Sequence, residues 1–222
     1  IINCEQYDET GWVPSLHNVK NPKKFLWSVD AHCKGQDAYE EVFTSGEYDV
    51  LLHSTKDFVT KDYHRWFPNA FDDSIIKPLN VDMKYDLGFC GNYVNRRETL
   101  LWLENEYGLH LDIFVIGDAM VEAINSYKCH FNMNLSNDIN YRSFETIGCS
   151  TLLLTNHNPQ YDELGFVDGE NCLMYKNRED LMGKIHWVID NDVTNIVMRG
   201  HELSKQHTYD KRVRDLMESE LC

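Results

Sequence analysis

Two arginines stand side by side in the segment Gly91-Asn-Tyr-Val-Asn-Arg96-Arg97, where an apolar run gives way to an amphipathic one. A helix N-terminus carries about half a positive charge, so arginine there is unfavourable unless an anion neutralises it. The backbone N–H groups of such a terminus also bind phosphate. The segment is therefore a candidate diphosphate site; the alternative is a helix start whose charges are only solvated.

A second charged pair lies in Tyr141-Arg142-Ser-Phe-Glu145. Residues three apart share one face of a helix, so Arg142 and Glu145 are placed to interact. One interpretation is a surface ion pair. The other is a carboxylate that accepts hydrogen bonds from ribose hydroxyls while the arginine contacts phosphate.

Several common catalytic and cofactor motifs are absent from the sequence. It has no GxxxxGK[ST] phosphate loop, and Gly88-Phe-Cys-Gly91 does not fit the GxGxxG dinucleotide fingerprint. A GxSxG nucleophile and an HExxH zinc motif are also missing, and Asp30-Ala-His32 alone is too small a set to hold a metal. The sequence predicts neither a bound metal nor a cofactor.

The charge balance argues against a nucleic acid or another bulk polyanion as the main partner. Lysine and arginine number 21 against 36 aspartates and glutamates, which gives a formal net charge of −15. Nucleic acids and anionic membrane surfaces require clustered cationic side chains. A small anion such as a diphosphate can still bind where two arginines meet.

Neither the apolar runs nor the cysteines indicate a membrane or secreted protein. The longest apolar run, within 150–155, is far shorter than the ~20 residues that span a bilayer. The seven cysteines form no CxxC pair, which favours free thiols in a reducing compartment. We therefore expect no transmembrane segment and a cytoplasmic location. Because the chain starts at Ile1 without a methionine, we also expect it to be part of a longer protein.

Short apolar runs alternate with amphipathic stretches along the chain, which predicts βαβ units and a parallel sheet covered on both faces. In the first block we predict strands at 25–29 and 48–53, helices at 37–43 and 56–64, and an extended piece at 65–67. The polar, proline-bearing stretch 68–84 is the candidate linker.

The second block repeats this alternation more completely. We predict strands at 85–90, 111–116, 129–135, 151–155 and 172–175, and helices at 97–107, 120–127, 141–147, 178–189 and 195–221, the last with a break near Thr208. The fold class is therefore α/β, with a complete doubly wound domain over 82–222 and, over 1–81, part of a second α/β domain with the linker.

In an open parallel sheet, ligands bind at the carboxyl ends of the strands. Small or polar residues follow the predicted strands at Asp30-Ala-His32, Gly91-Asn92, Gly117-Asp118, Leu135-Ser-Asn137 and Asn156-His157. The same residue types favour tight turns, so this pattern alone leaves ligand binding and turn geometry equally open.

These residues carry a family resemblance. Arg142-Ser-Phe-Glu145, followed by Gly148-Cys149 and Thr151-Leu-Leu-Leu-Thr155-Asn156, resembles the nucleotide-sugar motif of GT-B glycosyltransferases. The similarity is closest to the spore-coat-maturation (Cge-type) branch, which is allied to the family 4 retaining enzymes. It runs in order over 48–222 and includes Tyr85-Asp-Leu-Gly-Phe-Cys-Gly91, Gly169-Glu-Asn171 and His207-Thr-Tyr209.

The resemblance implies roles for individual positions. Glu145 matches the carboxylate that holds the donor ribose, and Arg97, with Arg96 as the neighbouring candidate, matches the basic residue on the donor diphosphate. Further positions implied near the donor are Gly91, Asn92, Arg142, Asn137, Asn156 and His157. His32 is the candidate catalytic residue of the first domain.

Two positions depart from the family pattern. The related enzymes have two glutamates eight positions apart, and the earlier position here is Asn137, expected near the transferred sugar. Ser150 replaces the usual glycine.

The function implied by the resemblance is transfer of a sugar from a nucleotide diphosphate sugar to an unknown glycan, protein or small-molecule acceptor, with retention and without a metal. The chain would then be a GT-B glycosyltransferase that is incomplete at its N-terminus. The alternatives are a catalytically inactive GT-B-like domain that binds a nucleotide, a sugar or a partner subunit, and, third, a GT-B epimerase.

Overall fold

The computed structural model describes residues 1–5, 20, 22–29, 35–46 and 48–221 of the chain. His32 lies outside the described residues. The described residues pack into two units, one within Ile1–Asn69 and Ser136–Ile139, the other within Ala70–Leu135 and Asn140–Cys222. The domain boundary at 81/82 stays a prediction, and stretch 70–81 packs with the second unit.

The first unit is built on a four-stranded parallel sheet. Its described elements are β1 (Ile2–Glu5), β2 (Phe25–Ser28), α1 (Gln36–Ser45), β3 (Val50–His53) and β4 (His64–Trp66). The sheet order is β1-β2-β3-β4. Leu26 and Leu51 from adjacent strands pack with Tyr39 of α1 and with Tyr48, because these strands are buried on the face that α1 covers.

The helix predicted over 56–64 is wrong apart from its first turn. The structure has only a 3-10 turn over Lys56–Phe58, and His64 already belongs to β4, where it pairs with Leu51. The physical reason is tertiary: the His64 Nε2 atom lies 2.9 Å from the Glu40 carboxylate of α1, and a continued helix would not make this strand pairing.

The second unit alternates strands and helices throughout. Its elements are β5 (Tyr85–Gly91), α2 (Arg97–Tyr107), β6 (His110–Ile113), α3 (Gly117–Asn125), β7 (Tyr127–Asn132), α4 (Tyr141–Gly148), β8 (Leu152–Asn156), α5 (Pro159–Glu163), β9 (Leu173–Tyr175), α6 (Arg178–Asp190), α7 (Thr194–Ser204) and α8 (Tyr209–Leu221). All five strands are parallel, in the order β6-β5-β7-β8-β9. The predicted α/β fold with parallel sheets is therefore confirmed.

Two predicted strands are displaced in the structure. β6 stops at Ile113 because Phe114 takes a left-handed conformation, with φ of 59°, and its N–H donates to the Gly91 carbonyl. β7 ends at Asn132 rather than at 135, because the Asn134 side chain bonds to the Tyr161 hydroxyl and to the Asn140 N–H, outside the sheet. Helix α5 was not predicted; the Asn158 side chain caps it and Pro159 opens it.

The hydrophobic core of the second unit holds its strands in place. Phe89, Phe131 and Leu154 from three neighbouring strands are buried together with Leu103 of α2 and Ile185 of α6. Helices α2 and α6 cover this face of the sheet, and α3 and α4 pack against the other, where His130 bonds to Thr146. The ends of the strands are therefore the accessible edge. Among the described residues, no helix is long and apolar enough to cross a membrane.

Candidate functional site

The two central strands of the second unit diverge at their carboxyl ends. Pairing of β5 with β7 ends at Gly88 and His130, whereas β5 stays paired with β6 as far as Gly91. The next strand along the chain lies on one side of β5 and β7 lies on the other, so the order reverses here. Open parallel sheets bind ligands in the crevice at such a reversal.

Arg96 bridges this crevice. Its Nε atom donates to the Met133 carbonyl beyond β7 at 2.7 Å, and its NH1 atom donates to the Asn92 carbonyl beyond β5 at 3.2 Å. The Asn92 side chain accepts the Val94 N–H, and Asn95 adopts a left-handed conformation with φ of 62°. The loop therefore holds one cation between two strand ends.

Arg97 lies in a different environment from Arg96. It is exposed on the first turn of α2, and its side chain makes no hydrogen bond or ion pair with any residue that the structure describes. Its predicted role on the diphosphate stays a prediction. The structure places Arg96 rather than Arg97 across the crevice.

A buried network of side chains lies beside Arg96, and Asn134 is at its centre. The Asn134 amide nitrogen Nδ2 donates to the Tyr161 hydroxyl at 2.8 Å, and its Oδ1 accepts the Asn140 N–H at 3.1 Å. The Asn134 backbone N–H donates to Oδ1 of Asn156 at 2.7 Å. Asn156, a predicted site residue, thus orients the loop after β7.

The same network reaches helix α4. The Tyr161 hydroxyl lies 2.7 Å from Ser143 Oγ and 3.1 Å from Thr155 Oγ1, and Ser143 also accepts from Asn132 Nδ2 at 3.0 Å. All four side chains are buried. Buried polar groups bonded in this way make a rigid base for a site.

Sequence reasoning missed Asn132 and Asn134 because it extended β7 to 135. The signal was present: asparagine is disfavoured in strands, so two of them after the buried run 129–131 mark its end. Asn137, predicted at this edge, groups with the first unit instead, and its Nδ2 donates to Asp57 Oδ2 at 2.8 Å.

Arg142 and Glu145 form an ion pair on α4, with 2.6 Å between NH1 and Oε2. Their side chains are only 12% and 14% exposed. Burial raises the pKa of Glu145, and the Arg142 guanidinium opposes that shift. The carboxylate lines a cavity of about 320 Å³ with Met120, Tyr141 and Tyr209.

The other predicted positions lie as follows. Gly91 ends β5, and its carbonyl accepts the Phe114 N–H at 3.1 Å. His157 is exposed and lines a separate cavity of about 350 Å³ with Asp162 and Lys176. Within the described ranges, no group of three histidine, cysteine, aspartate or glutamate side chains is placed to hold a metal.

The chain matches one family model, and its fold matches solved structures. The model of the family described as "Glycosyl transferase-like" matches residues 76–218. No curated protein matches the chain in sequence.

Three solved structures illustrate the likeness. The pneumococcal O-GlcNAc transferase GtfA in complex with UDP and GlcNAc has a TM-score of 0.60 and 10% identity, covering 88% of this chain and 52% of that one. Anabaena Alr3699/HepE in complex with UDP and glucose has a TM-score of 0.66 and 10% identity, covering 88% and 71%. Sucrose-phosphate synthase from Thermosynechococcus elongatus has a TM-score of 0.59 and 9% identity, covering 92% and 68%.

The chain thus spans about half the length of the pneumococcal enzyme. The α/β fold of GT-B type predicted from the sequence is confirmed by these structural neighbours.

Proposed function

The chain belongs to the glycosyl transferase-like family, and from that premise we propose that it transfers a sugar from a nucleoside diphosphate sugar to an acceptor. The observation that carries this proposal is Arg96, held between the carboxyl ends of β5 and β7 by two main-chain carbonyls. A cation fixed at the reversal of strand order, next to the N-terminus of α2, suits a diphosphate.

Transfer requires the leaving diphosphate to be stabilised as the bond to the sugar breaks. Arg96 and the N-terminus of α2 provide fixed positive charge at the crevice, which costs no reorganisation during the reaction. Arg97, on the same turn, is exposed and available to meet the charge that grows on the phosphate. Its contribution is then to turnover more than to donor affinity.

Glu145 is proposed to hold the ribose of the donor. Its Oε2 is engaged by Arg142, which fixes the carboxylate, and the side chain lines a cavity large enough for a ring. A buried, oriented carboxylate accepts hydroxyl hydrogen bonds more strongly than a solvated one. We propose uridine as the base, because GtfA and HepE, which share the fold, are complexed with UDP.

Finer features extend this proposal. We propose the spore-coat-maturation branch, retention of configuration, and chemistry without a metal or cofactor, with His157 near the donor. The catalytic role of His32 and the place of Asn137 near the transferred sugar stay predictions from the resemblance. A cytoplasmic location is supported by buried free thiols at Cys90, Cys129, Cys149 and Cys172. The acceptor class is left open among glycans, proteins and small molecules.

A second candidate function is a non-catalytic domain that binds nucleotide or sugar and serves a partner subunit. Asn137 favours it: an amide stands where the related enzymes carry a carboxylate, and it donates to Asp57. Binding without transfer or donor hydrolysis would select this function.

The test is calorimetric titration with UDP, UMP and 2′,3′-dideoxy-UDP on wild type, Arg96→Met and Glu145→Gln. Arg96→Met is expected to abolish the preference for UDP over UMP. Glu145→Gln is expected to weaken the binding of UDP at least tenfold, because hydrogen bonds to a charged group contribute about 1.5–3 kcal/mol. It should leave dideoxy-UDP unchanged, since that ligand has no hydroxyls to lose.

Glu104→Gln, on the exposed face of α2, is the matched control and should bind every ligand like wild type. With UDP-sugars and an identified acceptor, Arg97→Ala should lower kcat more than it raises KM. If wild type binds no nucleoside diphosphate from a panel of UDP, GDP, ADP and CDP, the donor site is refuted.

A further inference from the structure

His130 lies at the point where β5 and β7 separate. Its backbone forms the last pair of that ladder, with Gly88. Two residues further along β5, the Cys90 N–H donates to the His130 side chain, at 3.1 Å from Nε2. The imidazole therefore supplies an acceptor where the neighbouring strand no longer does, which leaves this buried N–H satisfied.

The other ring nitrogen points to helix α4. His130 Nδ1 lies 2.6 Å from Thr146 Oγ1, and the Thr146 hydroxyl donates to the Arg142 carbonyl at 2.6 Å. A hydroxyl has one hydrogen, so Thr146 must accept from His130. The hydrogen therefore sits on Nδ1, and the bare Nε2 accepts from Cys90.

One neutral tautomer thus completes a directed chain from Cys90 through His130 and Thr146 to Arg142. His130 and Thr146 are completely buried. Burial, reinforced by the Arg142 charge, lowers the pKa of His130 to about 3, so the ring stays neutral at physiological pH.

We propose that His130 is a positioning residue that couples the two halves of the donor site. This inference rests on the proposed function. One half is the loop after β5, with Asn92 and Arg96, which faces the diphosphate. The other half is α4, with Arg142 and Glu145, which faces the ribose. From the base of the crevice, the His130 side chain fixes the distance between the loop after β5 and α4.

Two substitutions separate the two ends of the imidazole. In His130→Gln, the amide oxygen replaces Nε2 as the acceptor for Cys90, and the bond to Thr146 is lost. In His130→Asn, the amide nitrogen replaces Nδ1 as the donor to Thr146, and the bond to Cys90 is lost. Thr146→Val removes the α4 end without touching the histidine.

Each variant should lose a different part of the affinity, measured with UDP, UMP and 2′,3′-dideoxy-UDP. In His130→Gln and Thr146→Val, the affinity for UDP should no longer greatly exceed the affinity for dideoxy-UDP, because α4 carries Glu145. In His130→Asn, the affinity for UDP should no longer greatly exceed the affinity for UMP, because the loop after β5 carries Arg96. We expect tenfold or larger changes in these ratios.

Thr151→Val is the matched control for Thr146→Val. Thr151 is also buried and donates to one main-chain carbonyl, that of Ile124, at 2.9 Å, but it precedes β8 at the opposite end of the sheet. It should lower the melting temperature without altering either affinity ratio. Nitrogen-15 spectra of the wild type should show His130 with a protonated Nδ1 and a bare Nε2.

The outcomes separate this inference from the proposed function. If wild type binds no nucleotide, both fail. If wild type binds UDP but the His130 and Thr146 variants keep its affinity ratios, the coupling is refuted and the donor site stands. A protonated Nε2 in the free protein would also refute the coupling, whatever the binding data.

Discussion

The carboxyl edges of the two parallel sheets differ in how many of their buried polar side chains are hydrogen-bonded. In the second unit, Ser143 and Thr155 both bond to the Tyr161 hydroxyl, and of this network's side-chain atoms Asn140 Oδ1 is the one buried without a partner among the described residues. In the first unit, Ser28 and His53 face each other in register at the ends of β2 and β3. Ser28 Oγ, both ring nitrogens of His53 and Thr55 Oγ1 are buried and accept or donate no hydrogen bond within the described part of the chain.

The two edges differ in the free energy of burying their polar groups. A buried polar group without a partner loses about 1–3 kcal/mol of hydration free energy, whereas a bonded one is roughly neutral or favourable. The second edge is therefore a rigid platform that stabilises its own fold. The first edge keeps polar groups that no described residue bonds, and this contrast can be measured.

The largest effect is expected for the ion pairs. Arg142→Met strands the buried Glu145 carboxylate and should lower the free energy of unfolding at pH 7 by about 3–5 kcal/mol. Lys61→Met breaks the contact with Glu40 in the first unit, where the lysine is 45% exposed, and should cost less than about 1 kcal/mol. Urea denaturation of both variants checks this; equal losses would contradict it.

The same pair has a pH signature. Burial raises the pKa of Glu145, so the folded chain binds this proton more tightly than the unfolded chain does. Without Arg142 the pKa rises further, and the folded variant binds the proton more tightly than the unfolded chain. The stability deficit of Arg142→Met should therefore shrink as the pH falls from 7 to 5.

A smaller effect is expected for two matched threonines. Thr155→Val removes a partner from the Tyr161 hydroxyl and should destabilise by about 1–2 kcal/mol. Thr55→Val removes a hydroxyl that has no partner among the described residues, so it should be neutral or stabilising. A destabilisation of Thr55→Val as large as that of Thr155→Val would show that the first edge is bonded after all.

The smallest effect at neutral pH is expected for His53→Phe. Burial and the nearby His64 lower the pKa of His53 to about 4, while Glu40 opposes the shift. A histidine with a depressed pKa contributes stability above its usual value near 6.5, and this contribution is lost as the pH falls toward 4. His53→Phe should therefore be at least as stable as wild type at pH 7.5, and its advantage should grow at pH 5 in urea denaturation.

The order of elements was predictable because it depends on local patterns. Helix α2 matches its predicted bounds, since Gly108 follows it in a left-handed conformation with φ of 67°. The end of β7 was not predictable in the same way. It depends on Asn134 bonding to Asn156 and Tyr161, which are close only in the folded chain.

The candidate site shows the same limit. Adjacent arginines are equivalent in the sequence, and only the folded chain brings the Met133 carbonyl to Arg96 rather than to Arg97. The spacing of Arg142 and Glu145 fits a surface pair or a buried one equally well, because the i,i+3 geometry is the same. Burial separates the two, and it is set by residues far away in sequence.

Phe71 has a consequence for the order in which the second unit forms. Its N–H donates to the His207 carbonyl, and its carbonyl accepts the Tyr209 N–H, so the first and last segments of the unit are tied together. Closing so long a loop costs conformational entropy, and its contacts contribute no stability until both segments are present. During synthesis, this closure must wait until the start of α8 has left the ribosome.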